Sequence, residues 1–344
     1  MSRTAVVIFN LGGPDSPEAV EPFLFNLFND PLIIRQPGLL RWLIAKLISV
    51  RRAPVAREIY QQIGGRSPIL EETQNQADAL QDLLGKESQF RVFIGMRYWK
   101  PFAEDCAADV KKYDPDRVIL LPLYPQFSTT TTESFQRVWV DACKNIGLSV
   151  PTSTICCYPT EPGFIEAMAD QTKSSLEAVS HRPNRVLFSA HGLPQKFVAS
   201  GDPYQAQVEM TVSAIVEKLD IPDLDYVICY QSRVGPVEWL RPYTDDEIKK
   251  AGSDKVSLTV IPVAFVSEHS ETLVELDIEY GKLAKDVGVP EYVRGRTVGI
   301  NPKFIQGLAD LVKSARNSGL SSGTGNQICP KSFGACAYCQ TGIS

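Results

Sequence analysis

Two short stretches carry residues able to move protons or hold a metal. The first is NRVLFSAHGLP, 184–194, where an apolar run stops at His191 and Gly-Leu-Pro follows. His191 is one of only three histidines in the chain. A histidine satisfied by a backbone carbonyl is the ordinary outcome. Here Gly192 and Pro194 make a tight turn that aims the imidazole out of a sheet. A neutral imidazole accepts a proton near neutral pH or binds a borderline metal such as Fe²⁺. The second stretch is SEHSETLVELDIEY, 267–280. Glu268 and His269 are expected to end a strand, and Glu271, Glu275 and Glu279 then recur every four residues on the following helix. Like charges at that spacing cost a helix roughly 0.2–0.5 kcal/mol per pair. A solvated acidic face is the plain reading. Leu273, Leu276 and Tyr280 take the apolar side, so the carboxylate ladder also suits a path for divalent cations or protons.

Aromatic residues fall at the ends of apolar runs. Trp239 sits in a Gly/Pro-punctuated loop right after a strand, Tyr98 and Trp99 fall at the end of another, and Phe265 precedes Glu268–His269. Most aromatics are core, but several around one cleft can hold a large flat ligand. The segment 23–52, FLFNLFNDPLIIRQPGLLRWLIAKLISVRR, is too apolar for a one-faced surface helix. Core packing is the default there. The alternative is an exposed apolar lip for a hydrophobic ligand or membrane surface, with Arg41, Lys46, Arg51 and Arg52 available to anionic groups.

Eight cysteines are present, three of them in the last sixteen residues as C-x6-C-x2-C: Cys329, Cys336 and Cys339. Zinc and an iron–sulfur cluster both suit such thiolates. A fourth ligand is required, and Cys156–Cys157 is a candidate pair. Neighbours in a strand point to opposite faces, so only one of the two is expected to serve.

The elements that must position these residues alternate. TAVVIFN (4–10), FRVFIGMRY (90–98), DRVILLPLYP (116–125), NRVLFSAH (184–191), DYVICYQS (225–232) and VSLTVIPVAFVSEH (256–269) read as buried strands, with amphipathic helical segments between them. The pattern predicts an α/β fold of two similar halves, each a parallel sheet flanked by helices. The expected domains are 1–172, 173–316, and a flexible Ser/Gly-rich connector with the cysteine tail, 317–344. Ser16-Pro17 and Thr244–Glu247 read as helix starts, the latter as a capping box. Ligands in such sheets bind beyond the carboxyl ends of the strands. Gly-Gly at 12–13 and 64–65 forms neither a dinucleotide nor a Walker loop. A net charge of −5 and no Lys/Arg-rich block argue against a nucleic-acid partner. No run of eighteen apolar residues spans a membrane, and the N-terminus continues as a strand, so the chain is expected to be cytoplasmic.

The blocks FNLGGP (9–14), IGGRSPI (63–69), MRYW (96–99), LYPQFSTTTTES (123–134), LFSAHGLP (187–194), GDPY (201–204), YQSRVGP (230–236) with Trp239, and PVAFVSEHSETLVELDIEY (262–280) follow one another in order. Together they resemble the ferrochelatases, which insert ferrous iron into protoporphyrin IX. The resemblance runs from about residue 4 to 312. It implies two Rossmann-like halves with the porphyrin between them, His191 and Glu271 as the central pair, and Glu268–His269 beside them. It implies that Arg97, Tyr98, Ser67, Trp239 and Phe265 bind substrate, and that His191 and Glu271 meet the substrate iron. The stripe through Glu275 and Glu279 then carries metal or protons, and His191 handles the other species. Segment 23–52 matches a porphyrin lip that also touches membrane in some members. The tail is similar to those holding a 2Fe–2S cluster, here through Cys157, Cys329, Cys336 and Cys339. Competing readings are a chelatase for coproporphyrin or for a cobalt–corrin precursor, and a non-catalytic haem or metal carrier.

Overall fold

A run of apolar residues buried along its whole length marks β1 (Thr4–Asn10). Such a run suits a parallel strand covered on both faces. The computed structural model describes residues 2–85, 90–181, 183–315, 319–323 and 327–337. The chain divides into two compact units, Met1–Cys157 with Leu308–Ile328 and Tyr158–Gly307 with Cys329–Ser344.

The first unit contains β1, α1 (Val20–Phe28), α2 (Gly38–Gln61), α3 (Ile69–Leu84), β2 (Phe90–Met96), α4 (Ala103–Tyr113), β3 (Arg117–Pro122), a π-helical turn Thr129–Glu133, α5 (Ser134–Ile146) and β4 (Thr152–Cys157). The second contains α6 (Pro162–Glu177), β5 (Asn184–His191), α7 (Gln195–Ala199), α8 (Tyr204–Leu219), β6 (Tyr226–Gln231), α9 (Thr244–Asp254), β7 (Ser257–Pro262), a π-helix Glu271–Glu279, α10 (Tyr280–Asp286) and β8 (Tyr292–Arg294). The division between units falls within α11 (Pro302–Ala315), after which comes β9 (Leu320–Ser322). Both sheets are parallel, ordered β2-β1-β3-β4-β9 and β6-β5-β7-β8. The same order about β1 and β5 makes the units architectural counterparts, each with a π-helical segment after its third strand. In the first unit Phe9 stacks on Phe135 with ring centroids 4.2 Å apart. In the second, Leu187, Cys229, Leu258, Val260 and Leu276 form the centre of the core.

Several expectations change. The boundary lies at Cys157–Tyr158 rather than 172, because α6 packs on α8 and β7. The connector is not wholly unstructured: Leu320–Ser322 adds a strand to β4, with Ser321 and Ser322 buried. The last long apolar run ends as a strand at Pro262, so Glu268 and His269 lie in the loop beyond it. Ser16 caps only a turn, its Oγ accepting from Ala19 N–H at 3.3 Å, and α1 starts at Val20. Thr244 is the first residue of α9, not its cap. Its hydroxyl is buried against Ser189 Oγ and Cys229 Sγ, which outcompetes a capping box.

The dense apolar segment falls in two helices, α1 and α2. Phe23 and Leu24 of α1 are buried. On α2, however, Leu39, Leu40, Trp42, Leu43, Leu47 and Val50 are exposed, so the default of core packing fails there and an apolar surface remains. Lys46 is paired with Glu21 at 2.6 Å, and Arg41 donates to the Gln36 carbonyl. Among the described residues no helix is long and apolar enough to cross a membrane.

Candidate active site

The strand order of the second unit sends the connection after β5 to one side, toward β6, and that after β7 to the other, toward β8. Diverging loops of this kind open a crevice at the carboxyl ends of the two strands. His191 ends β5, and Glu271 begins the π-helix after β7.

The turn at His191 is built by close backbone approach. A Cβ at Gly192 would lie 2.7 Å from the Gln231 carbonyl oxygen and 3.1 Å from Cε3 of Trp239. Only glycine fits. Its N–H donates to that carbonyl at 2.8 Å. The facing segment is tied on by Leu240 N–H to Leu193 O at 3.0 Å and Gln195 N–H to Glu238 O at 2.9 Å. Trp239 is thereby fixed beside His191.

His191 Nδ1 lies 2.8 Å from Glu271 Oε2. With the carboxylate as acceptor, Nδ1 carries the proton and Nε2 keeps its lone pair. His269 Nε2 is 3.7 Å from the same carboxylate oxygen, while its Nδ1 donates to the Ser267 carbonyl at 3.0 Å. Phe265 meets His191 edge-on at 6.5 Å between ring centroids and lies 4.8 Å from His269. Burial works against charging His191, yet the Glu271 carboxylate outweighs it and raises the imidazole above its ordinary value. Burial likewise opposes ionisation of Glu271, and the His191 and His269 imidazoles overcome it, holding that carboxyl well below the usual carboxylate range.

Glu275 has a different character. Its carboxylate accepts from Ser232 N–H at 2.8 Å, Tyr280 OH at 3.0 Å, Gln231 Nε2 at 3.1 Å and the Ser232 hydroxyl. Burial and then the neighbouring Glu271 charge raise its affinity for a proton in spite of these donors. Glu279, the last of the expected stripe, is exposed. The stripe lies on a π-helix rather than an α-helix, and the periodicity of the residues alone does not distinguish the two.

Glu268 is held by Arg294 and the backbone of Thr297. It accepts two bonds from Arg294 Nη1, at 2.7 and 3.0 Å, and one from Thr297 N–H at 3.0 Å. Arg294 also clamps Asp277 at 2.6 Å. Burial raises the Glu268 carboxyl, and Arg294 more than offsets that, lowering it overall. Glu268 anchors the loop that presents Phe265 and His269.

In the first unit, Arg97 Nη2 and Tyr98 OH both donate to Asp30 Oδ2, at 2.8 and 2.7 Å, as does the Ser134 hydroxyl. Asp30 Oδ1 accepts from Leu32 N–H at 2.7 Å. Tyr98 is fully buried, so it supports Arg97 and Asp30 from inside rather than forming a wall. Arg97 and Asp30 line a polar cavity of about 270 Å³ with Asn26 and Asn29. Ser67 lies elsewhere in this unit, its N–H donating to the Pro14 carbonyl at 2.8 Å, beside a cavity of about 640 Å³.

Asp30, Gln231, Ser232 and Arg294 went unmarked in the sequence, and Tyr280, read there as apolar, donates its hydroxyl to Glu275. Asp30 carried a signal, a lone acid in a dense apolar segment. Ser232 did not, because its role depends on a left-handed backbone, φ 64°, that sequence does not announce.

Cys329 and Cys336 are buried in the second unit, and Gln207 Nε2 donates to Cys329 Sγ at 3.1 Å. Such a donor suits a ligating thiolate. Cys156 and Cys157 are buried with their sulfurs 3.4 Å apart. The expected opposition of their side chains is lost at a register shift between Ile155 and Cys157 in the pairing with β9. Cys339 lies outside the described residues. Among the described residues no group of three or more His, Cys, Asp or Glu side chains forms a metal cage.

A sequence model described as Ferrochelatase matches residues 3–316. Proteins named ferrochelatase from Rickettsia bellii and Caulobacter vibrioides are each 49% identical, over 341 and 337 residues. Both alignments cover 97% of this chain, with 94% and 95% of the relatives. The chain belongs to the ferrochelatase family. Among solved structures, SirB from Bacillus subtilis with Fe³⁺ is similar in fold, with a TM-score of 0.56 at 14% identity, covering 92% of this chain and 97% of that one. DR2241 from Deinococcus radiodurans, described as similar to chelatases, gives a TM-score of 0.50 at 15% identity over 99% of this chain and 60% of its own. Membership of the family agrees with the resemblance drawn from the ordered blocks, and the two helix-flanked parallel sheets agree with the expected fold.

Proposed function

We propose that this chain is a lyase that inserts Fe²⁺ into protoporphyrin IX, releasing two protons to form haem. The observation that carries the reading is the Glu271 carboxylate, held 2.8 Å from His191 Nδ1. That bond leaves Nε2 as an acceptor for a pyrrole N–H proton. The imidazolium formed is stabilised by Glu271, and Glu275, raised in proton affinity behind it, takes the next step outward. Four donors already occupy the Glu275 carboxylate oxygens, which suits a proton relay better than a metal ligand. Positioned acid–base groups of this kind contribute about 10²–10⁴-fold in rate.

The aromatic surfaces of Trp239 and Phe265 flank the imidazole and offer apolar contact to a flat macrocycle. Arg97, fixed by Asp30, provides a cationic group for a macrocycle carboxylate, and Ser67 is a further polar contact. The exposed apolar face of α2 favours the less polar protoporphyrin over coproporphyrin, and it is the surface for peripheral attachment to a membrane from the cytoplasm. Cys157, Cys329, Cys336 and Cys339 would hold a 2Fe–2S cluster, which when bound supplies thiolate–iron bonds that tie the tail down.

The test is multiple-turnover formation of haem from protoporphyrin IX and Fe²⁺ under anaerobic conditions. More than one haem per chain supports the enzyme. Stoichiometric binding without turnover would replace it with a carrier, and faster insertion with coproporphyrin would reassign the substrate.

A further inference from the structure

The cysteine tail and the catalytic histidine touch the same short segment of the second unit. On the tail side, Ala335 N–H donates to the Gly201 carbonyl at 3.3 Å. Gly201 has φ +91°, and a Cβ there would lie 2.8 Å from Gly334 N and 3.3 Å from Ala335 N. Six residues on, the buried Gln207 donates its amide to Cys329 Sγ at 3.1 Å. Between these two contacts lies Tyr204. Its ring is buried, its N–H donates to Asp202 Oδ1 at 3.0 Å, and its hydroxyl donates to the backbone carbonyl of His191 at 3.0 Å. Asp202 is itself buried, and its N–H donates to the Phe197 carbonyl at 3.1 Å. The segment 201–207 is thus clamped at both ends by the tail and bonded at its middle to the strand end that carries the imidazole.

We propose that the docked cysteine tail sets the position of His191 through residues 201–207, with Tyr204 as the positioning residue. The inference rests on His191 being the group that acts on the macrocycle. Docking of the tail fixes where α8 begins, and the start of α8 fixes the Tyr204 hydroxyl. That hydroxyl holds the last carbonyl of β5 and hence the turn from which the imidazole projects. Reacting groups displaced by about an ångström lose up to 10²-fold in rate, so small movements here have large effects. Release of the tail would therefore slow the chemistry without opening the site.

Three variants of the full-length protein test this. Tyr204→Phe removes one hydroxyl and keeps the ring. Gly201→Ala puts a methyl group against Gly334. Gln207→Met removes the donor to Cys329 and serves if Gly201→Ala fails to fold. Three quantities are read: amide hydrogen exchange over 327–337, the ring ¹H–¹⁵N resonances of His191 assigned by loss in His191→Ala, and kcat and KM for iron insertion. Tyr204→Phe is expected to shift the His191 resonances and lower kcat about tenfold with KM within about twofold, leaving tail exchange unchanged. Gly201→Ala or Gln207→Met is expected to speed tail exchange, shift the same resonances and lower kcat. Faster tail exchange with His191 resonances and kcat at wild-type values overturns the coupling, as does a Tyr204→Phe variant indistinguishable from wild type. His191 resonances that follow the tail in a wild-type protein without turnover uphold the coupling and sink the proposed reaction instead.

Discussion

Glu271 accepts from His191 at 2.8 Å, so a carboxylate at the start of a π-helix decides which nitrogen of the strand-end imidazole is free. Sequence separation between the two is eighty residues, and the parallel order β6-β5-β7-β8 closes it. Replacing Glu271 by Gln removes the charge and keeps the shape. Iron insertion is expected to fall by about 10²–10⁴-fold, the range for loss of positioned acid–base catalysis. A variant within twofold of wild type would mean the pair is structural.

The same pair fixes a pH dependence. His191 is raised above its ordinary value of 6.5, and Glu271 is lowered from 4.5. The proton-accepting form of His191 is neutral, so the rate rises with pH through the raised value. Glu271→Gln should move that acid limb to lower pH. For stability the signs are opposite. The His191 contribution is complete below 6.5 and lost as pH rises through the folded value. The Glu271 contribution is complete above 4.5 and lost as pH falls through its lowered folded value. Thermal melts of wild type and His191→Ala across this range should converge at high pH, and a constant difference would contradict the linkage.

Arg294 bridges Glu268 and Asp277 with its side chain almost wholly buried. Arg294→Met leaves Glu268 charged and unpaired. Breaking a buried pair from one side costs about 3–5 kcal/mol, so urea denaturation should show a loss of that size. A loss below about 1 kcal/mol would place the pair among surface bridges.

Asp30 gathers Arg97, Tyr98, Ser134 and the Leu32 N–H onto one carboxylate. Asp30→Ala strands several buried donors, each costing about 1–3 kcal/mol when unsatisfied. Calorimetry should find this variant markedly less stable than Arg97→Ala, which removes only one of the donors.

Leu43 and Leu47 of α2 are each 52% exposed. The double change Leu43→Ser/Leu47→Ser should abolish sedimentation with anionic phospholipid vesicles. Each substitution should alter folding stability by less than about 0.5 kcal/mol, as surface positions do. Unchanged sedimentation would leave this face to the porphyrin alone.

Much of the frame was legible because burial on both faces writes itself as unbroken apolar runs: TAVVIFN and NRVLFSAH match β1 and β5 residue for residue. Where a proline cut the ladder, the reading overran, as at Pro262. His191 was legible because glycine and proline frame it, and Glu271 because it opens a regular series. Glu268 was read as a strand end but lies in the loop beyond Pro262, and its partner Arg294 is twenty-six residues away, so nothing local marks the buried ion pair. Glu275 was seen, but its donors Ser232 and Tyr280 come from opposite sides of the crevice and are brought together only by packing. The short strands β8 and β9 were missed because three-residue strands carry no periodicity.

The central claim is that His191 acts on the macrocycle. Anaerobic insertion of Fe²⁺ into protoporphyrin IX, wild type beside His191→Ala, tests it most directly, with porphyrin binding followed by fluorescence in the same samples. The expected result is repeated turnover by wild type and a loss of at least about a hundredfold in kcat for the variant, with porphyrin affinity retained. Near-normal insertion by His191→Ala would contradict it.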